Sequence, residues 1–165
     1  MKPQSNTTEP TVRSINPGTA QFGQLSANAW RVSGKTMTID EYIDNESQDV
    51  CSADLGVLRT FADRLFDKLK EPSAVAYTGL QDALEVIVRV LELPATQEAR
   101  DPLPRWLAET GFAAGYLLKR YDLIPDHLPE IGLADDVLIL QRVIERNESE
   151  ICRSLGNADL TAFEA

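Results

Sequence analysis

Residues 121–140, YDLIPDHLPEIGLADDVLIL, form a stretch that is too irregular for one helix. Pro125 and Pro129 remove two backbone donors and push the residues before them towards extended geometry. Gly132 permits a tight turn that other residues resist. An aliphatic run with helical spacing follows. The stretch therefore predicts a defined connection between two helices. It also carries an acidic set: Asp122, Asp126, Asp135 and Asp136.

Helical periodicity extends from this connection in both directions. Apolar residues recur at spacings of three and four with charged residues between them, which indicates amphipathic helices that bury one face. The predicted helices are residues 52–71, a second segment that Ser73 caps and that ends before Pro94, residues 102–120, and residues 135–155. We therefore predict an all-α fold, a small helical bundle of about four main helices with a flexible N-terminal arm.

Several residues predict where these helices begin, end and meet. Asp101, directly before a proline, predicts the start of the third helix. Asp135 or Asp136 is expected to cap the fourth helix, and Gly156 is expected to end it. Gly111 in the third helix is small enough to let a neighbouring helix approach closely.

The ends of the chain are predicted to lie outside the bundle. The first 28 or so residues are rich in polar residues, Gly and Pro, and too poor in large aliphatics to offset the entropy of ordering them. We predict a flexible arm over residues 1–37, an α-helical domain over residues 38–156 and a C-terminal tail over residues 157–165.

A short helix is expected where the arm meets the domain. Thr38 and Glu41 have the spacing of a capping box, in which each residue bonds the backbone of the other. Apolar residues on either side give this segment enough mass to dock on the domain or on a partner. Trp30 and Tyr42 are therefore the candidate partner-binding residues.

Composition limits the classes of function. The chain has 165 residues and a formal net charge of -10, which disfavours direct binding to nucleic acid and to anionic membranes. The N-terminus has no apolar core of signal-peptide length, and no later run is long enough for a membrane span, so we expect a cytoplasmic protein. Cys51 and Cys152 are too far apart to suggest a zinc knuckle or a redox pair.

One family pattern is visible in the connection. Asp122-Leu123-Ile124-Pro125-Asp126 is followed by Pro129, Gly132 and then Asp135-Asp136 with aliphatics. In order and spacing this resembles the signature of the YkvA-like family, a bacterial domain of unknown function. With the preceding helix, the resemblance covers roughly residues 103–146. It implies an α-helical hairpin, and no activity, substrate or cofactor is established for that family.

The acidic connection has two interpretations. Asp122, Asp126, Asp135 and Asp136 come from both sides of a tight turn, and hard cations such as Mg²⁺ or Ca²⁺ take carboxylate oxygens. In the simpler interpretation the last two cap the next helix, and the first two hold the turn by bonding nearby N–H groups. Caps are commoner than ligands, so no cofactor is expected, with Mg or Ca as the alternative.

Catalysis has little support in the sequence. His127, the single histidine, and Glu130 are the candidate proton acceptors, because an imidazole titrates near neutrality and both lie in the acidic connection. No nucleophile stands beside an obvious base, so the catalytic residues are unknown.

The function predicted first is therefore a non-catalytic protein-interaction or regulatory module that binds a protein partner or a second copy of itself. The alternative is a divalent-cation-dependent enzyme or switch built on the acidic connection from Asp122 to Asp136. A weaker alternative, drawn from the net negative charge, is an acidic inhibitor of a nucleic-acid-binding protein.

Overall fold

The computed structural model describes residues 16–17, 30–32, 35–118 and 133–163. Within these residues the fold is all-α, as predicted, and the helices pack around a shared apolar core. The helices are α1 (Ile39–Ser47), α2 (Ser52–Thr60), α3 (Leu80–Glu92), α4 (Pro94–Gln97), α5 (Arg105–Leu118), α6 (Ala134–Arg146) and α7 (Glu148–Phe163), with two 3₁₀ segments at Ala62–Lys70 and Pro72–Ala76.

Four very short strands accompany the helices in the described part of the chain. β2 (Trp30–Val32) and β3 (Lys35–Met37) pair as an antiparallel hairpin directly before α1. β1 (Asn16–Pro17) pairs antiparallel with β4 (Tyr77–Thr78) just before α3. None of these strands was predicted, because two or three residues are too few to show the alternation that marks a strand. Three of these strands lie in the segment predicted to be a flexible arm.

α1 begins where the sequence predicts. Thr38 has extended backbone geometry, and its side-chain oxygen accepts a hydrogen bond from the N–H of Glu41 at 3.1 Å. The Glu41 carboxylate in turn accepts a hydrogen bond from the N–H of Thr38 at 2.8 Å. The capping box is therefore confirmed, and it satisfies backbone donors that have no partner within the helix.

The single helix predicted over residues 52–71 is wrong. α2 ends at Thr60, and the chain continues as the 3₁₀ segment Ala62–Lys70. The N–H of Phe61 bonds the carbonyl of Leu58, three residues back, which tightens the chain at this point. Residues three apart share a face in both helix types, so the apolar spacing alone did not distinguish them.

α3 carries the predicted apolar stripe but begins later than predicted. Gly79 precedes the helix with a φ of 88°, a left-handed conformation that favours glycine. Ser73 does not cap it, because this residue is buried in the 3₁₀ segment Pro72–Ala76. The predicted stripe is buried in the main core: Leu80, Leu84, Ile87, Val88 and Leu91.

α5 packs closely on α2, as the small residue in its middle predicts. A Cβ atom added at Gly111 would lie 2.8 Å from a methyl group of Leu55. The cap predicted for this helix is wrong, because α5 begins at Arg105 and Asp101 binds elsewhere. The Asp101 carboxylate accepts hydrogen bonds from the backbone N–H and hydroxyl of Ser52, at 2.7 and 2.8 Å, and so holds the start of α2.

The helix predicted over residues 135–155 is two helices. Asn147 interrupts it between α6 and α7, and its side-chain amide donates to the carbonyl of Val143 at 2.8 Å and to Glu109 at 2.6 Å. The polar side chain therefore competes with the helical backbone pattern. Gly156 does not end the helix, because α7 continues to Phe163.

Candidate functional site

The structure describes only part of the predicted acidic site. Asp122, Asp126, His127 and Glu130 lie outside the described residues, so their predicted roles remain predictions. Asp135 and Asp136 lie in the first turn of α6 and are 2% and 1% exposed.

The capping role predicted for these two residues is wrong. Leu133 occupies the cap position, and among the residues that the structure describes no side chain caps the helix. Asp135 and Asp136 lie one and two residues inside α6, where they remain near the positive end of the helix dipole. A side chain from another element contacts each of the two carboxylates.

Two other parts of the fold contact this acidic pair, Asp135 and Asp136. The hydroxyl of Tyr116 on α5 donates a hydrogen bond of 2.6 Å to Asp135 Oδ2. Lys68 Nζ, in the 3₁₀ segment Ala62–Lys70, lies 3.1 Å from Asp136 Oδ2 and is itself mostly buried. The acidic pair therefore connects three elements through charge-assisted contacts.

The acidic pair also affects nearby tyrosines. Burial, with smaller contributions from the charges of Asp135 and Asp136, raises the pKa of Tyr77 to about 12. Burial is also the main reason that the pKa of Tyr42 is raised, followed by the charges of Glu46 and Asp135. Both phenols are therefore neutral at physiological pH, where they can donate a proton in a hydrogen bond but do not act as bases.

The described half of the acidic connection is poorly suited to a cation by itself. Across the described ranges, no group of three or more His, Cys, Asp or Glu side chains is placed to hold a metal ion. The ammonium group of Lys68 already neutralises part of the charge at Asp136 and would repel a second cation. A site with four Asp ligands also needs Asp122 and Asp126, which lie outside the described residues. The predicted cation site therefore stays a prediction.

A second charged cluster was not predicted from the sequence. It lies between α1, α5 and α6, and we call it the arginine–carboxylate network: Asp40, Asp44, Arg105, Glu109, Arg142 and Arg146. Arg142 donates two hydrogen bonds to the two carboxylate oxygens of Asp40, at 2.7 and 2.8 Å. This bidentate contact joins α6 to α1, and it lowers the pKa of Asp40.

Glu109 and Arg146 form the buried centre of the network. Glu109 is 0% exposed and accepts hydrogen bonds from Arg105 at 2.7 Å, Arg146 at 2.9 Å and Asn147 at 2.6 Å. The side chain of Arg146, 10% exposed, also donates to the Asp44 carboxylate. A buried carboxylate with three donors is well satisfied, so Glu109 fastens α5 to the junction of α6 and α7.

The sequence does contain a signal for this network. Asp40 and Asp44, Arg105 and Glu109, and Arg142 and Arg146 are each separated by four residues, one helical turn. Each pair therefore lies on one face of its helix. Nothing in the sequence says that the three faces meet, because that depends on how the helices pack.

The candidate partner residues have different positions. Trp30 lies in β2. Tyr42 is 8% exposed and packs edge-on against Phe112 and Tyr116, with ring centroids 5.7 and 6.4 Å apart. Its ring contributes to the fold in this conformation, and its role in binding a partner stays a prediction.

A cleft of about 630 Å³ lies between the end of α1 and the start of α5. Cys51, Asp101 and Arg105 are among its lining residues. Its volume suits a small ligand. However, Asp101 and Arg105 already bind Ser52 and Glu109, so two of the cleft's charged groups are occupied by contacts within the protein.

Comparison with known families locates one similarity. A family model described as "Protein of unknown function (DUF1232)" matches residues 107–141, from α5 into α6. This segment resembles a domain-of-unknown-function family. The match covers about a fifth of the chain, and it includes Glu109, Tyr116 and the acidic pair. No curated protein and no solved structure matches the chain. Among the described residues, no helix has both the length and the apolar character needed to cross a membrane.

Proposed function

We propose that this chain is a YkvA-like protein-interaction or regulatory module that acts by binding and does not catalyse a reaction. The family match supports the YkvA-like assignment, because it falls within the segment, roughly residues 103–146, that carries the resemblance. One observation carries the functional proposal. The three buried carboxylates of the described residues, Glu109, Asp135 and Asp136, each bind a side chain from another element.

A catalytic carboxylate must reach its substrate, and these three do not reach the surface. Each is at most 2% exposed and is held by a hydroxyl, an ammonium or a guanidinium group. Removing one partner from such a pair is strongly destabilising, by about 3–5 kcal/mol, because it leaves a buried charge uncompensated. Their role is therefore to fix the packing of the helices that a binding surface requires.

The chemistry of the partner follows from the charge of the chain. A formal net charge of -10 disfavours nucleic acid and anionic lipid, so the proposed partner is a protein. A cytoplasmic location remains part of this proposal.

Thermal unfolding with and without divalent ions separates this proposal from the ion-dependent alternative. The metal-stripped chain is melted alone and with millimolar Mg²⁺, Ca²⁺ or Mn²⁺, as wild type and as Asp136→Asn. We expect the ions to leave Tm unchanged and the variant to lower Tm by the same amount in every condition. The control is Asp67→Asn, an exposed carboxylate that pairs with Lys70. An ion-dependent rise in Tm that Asp136→Asn loses and Asp67→Asn keeps would overturn the proposal.

A second experiment tests binding directly. Wild type, His127→Gln and Glu130→Gln are each crosslinked to neighbouring proteins inside the cells that produce them. The crosslinked proteins are then identified and quantified. A non-catalytic module keeps the same crosslinked proteins in the same amounts when either candidate proton acceptor is replaced. Accumulation of a trapped species with either variant would instead indicate a reaction that needs that side chain.

A further inference from the structure

The cleft between the end of α1 and the start of α5 takes no part in the proposed function. Its volume of about 630 Å³ is within the range of small-ligand sites. Three carboxylates line it, those of Asp44, Asp49 and Asp101, together with one guanidinium group, that of Arg105. The described lining therefore has an excess of two negative charges, which attracts a cation.

Contacts from outside the cleft leave this balance unchanged. Arg146 brings a positive charge to Asp44, and Glu109 brings a negative charge to Arg105. One cation and one anion are added, so the excess of negative charge in the cleft remains.

Two acceptors in the lining have no partner within the part of the chain that the structure describes. The Asp49 carboxylate is exposed and forms no hydrogen bond or ion pair with the described residues. Ser47 is only 6% exposed, and its hydroxyl forms no hydrogen bond with these residues either. A buried hydroxyl needs a hydrogen-bond partner. Because Ser47 lines the cleft, a ligand in the cleft can be that partner.

The acceptors of the cleft are not arranged for a metal ion. Across the described ranges, no group of three or more acidic, His or Cys side chains is placed to hold one. A hard metal ion takes several oxygen ligands around one point, whereas an organic cation needs only one or two acceptors at its charged end. The ligand that suits the cleft is therefore an organic cation.

The apolar part of the lining indicates which organic cation fits. Guanidinium and quaternary ammonium groups bind well against aromatic rings, and the described lining of the cleft contains no aromatic side chain. A primary ammonium group is compact and donates three hydrogen bonds. Val50, Leu103 and Ala108 give the cleft aliphatic surface, which suits a hydrocarbon chain next to the ammonium group.

We propose that this cleft binds a primary ammonium group on an aliphatic chain, with Asp49 and Ser47 as the acceptors of its hydrogen bonds. Asp44 and Asp101 add negative charge. A free aliphatic amine and a lysine side chain of another protein share this chemistry. The inference goes beyond the proposed function, which assigns no ligand site.

Titration of the isotope-labelled full chain, followed by the NMR shifts of its backbone amides at physiological salt, tests this proposal. Cadaverine represents a free amine, and lysine with a blocked backbone amine and carboxyl group represents a protein side chain. The proteins are wild type, Asp49→Asn, Ser47→Ala and the control Glu46→Gln. Glu46 is an exposed carboxylate near the end of α1 that does not line the cleft, so the control removes the same charge elsewhere.

Wild type and Glu46→Gln should bind at least one probe with equal affinity, with shifts concentrated in residues 44–51 and 101–108. Asp49→Asn should weaken binding about tenfold, because the ammonium group loses a charged acceptor. Ser47→Ala should weaken it about threefold, since it removes one neutral hydrogen bond. Pentanol, which has a similar chain without the charge, should cause no shifts in these residues.

The two probes distinguish the source of the ammonium group. Binding of the blocked lysine supports the proposal with a lysine of a partner protein as the ligand, and binding of cadaverine alone supports it with a free amine. Three results overturn the proposal. They are no binding of either probe, an equal loss of affinity in Asp49→Asn and Glu46→Gln, and binding of pentanol as tight as that of the amines. The second of these would show a general attraction to an acidic chain, and the third would show an apolar site.

Discussion

The acidic pair and the arginine–carboxylate network are both buried charged clusters, but they differ in what they connect. The acidic pair binds Tyr116 and Lys68 and joins α6 to the bundle beneath it. The network joins α1 to α5 and α6, with Glu109 fully buried and Arg142 and Asp40 part-exposed at its edge. One cluster lies against the main core, and the other fastens a covering helix.

The clusters also differ in their relation to the matched family segment. Tyr116 and both acidic residues lie within residues 107–141, whereas Glu109 is the one network residue there. The other network residues come from before and after this segment. Residues 107–141 therefore contain the acidic pair and Tyr116, one of its partners. The arginine–carboxylate network depends mainly on residues outside this segment.

The largest effect is expected at the buried centre of the network. Glu109→Ala should lower the free energy of unfolding by about 3–5 kcal/mol, because it removes the acceptor of three hydrogen bonds and leaves Arg146 partly uncompensated. Denaturant unfolding measures the change. The control is Glu85→Ala on the exposed face of α3, which should cost about 0.5 kcal/mol or less. A loss below about 1 kcal/mol for Glu109→Ala would mean that the network does not fasten the helices.

The acidic pair should give the next largest effect. Tyr116→Phe should lower the free energy of unfolding by about 1.5–3 kcal/mol, since it removes a hydrogen bond to a buried carboxylate while keeping the ring. A double-mutant cycle with Asp135→Asn should show strong coupling, measured by chemical denaturation. If the losses of stability in the two single variants simply add, Tyr116 and Asp135 act independently. The acidic pair would then not join α6 to α5 in the way described above.

The exposed edge of the network should contribute less. Asp40→Asn should cost about 0.2–1 kcal/mol at low salt and less at high salt, because both partners are roughly two-fifths exposed. The Arg142 contact lowers the pKa of Asp40, so its contribution is present above the pKa of the unfolded carboxyl and is lost as pH falls towards the folded value. Wild type should therefore lose more stability on acidification than Asp40→Asn, as measured by Tm against pH.

The smallest effect at neutral pH is expected from Tyr77, next to the acidic pair. Its pKa is raised from 10.0 to about 12 by burial and by the charges of Asp135 and Asp136. The unfolded phenol therefore ionises first, and this contribution to stability is present below pH 10 and lost between pH 10 and 12. Tm of wild type should fall across that range, and the fall should be shallower in Tyr77→Phe. Parallel Tm profiles for the two proteins would refute this assignment.

The sequence by itself determined the helical class and much of the local structure. The apolar stripe of α3, the Thr38–Glu41 capping box and the close approach at Gly111 were all predictable. Each depends on spacing within one helix or on the size of one residue, and such properties are local. The break at Asn147 was less predictable, because the Asn147 side chain binds Glu109 on another helix.

Tertiary structure alone decided which charged residues meet. Asp40 and Arg142 are 102 positions apart, and nothing near either residue in the sequence identifies its partner. Asp135 and Asp136 have the sequence position of caps, but the packing of α5 and the 3₁₀ segment Ala62–Lys70 directs them to Tyr116 and Lys68. Helical periodicity is fixed by hydrogen bonds between near neighbours, whereas the pairing of side chains depends on how whole helices pack, which no local pattern encodes.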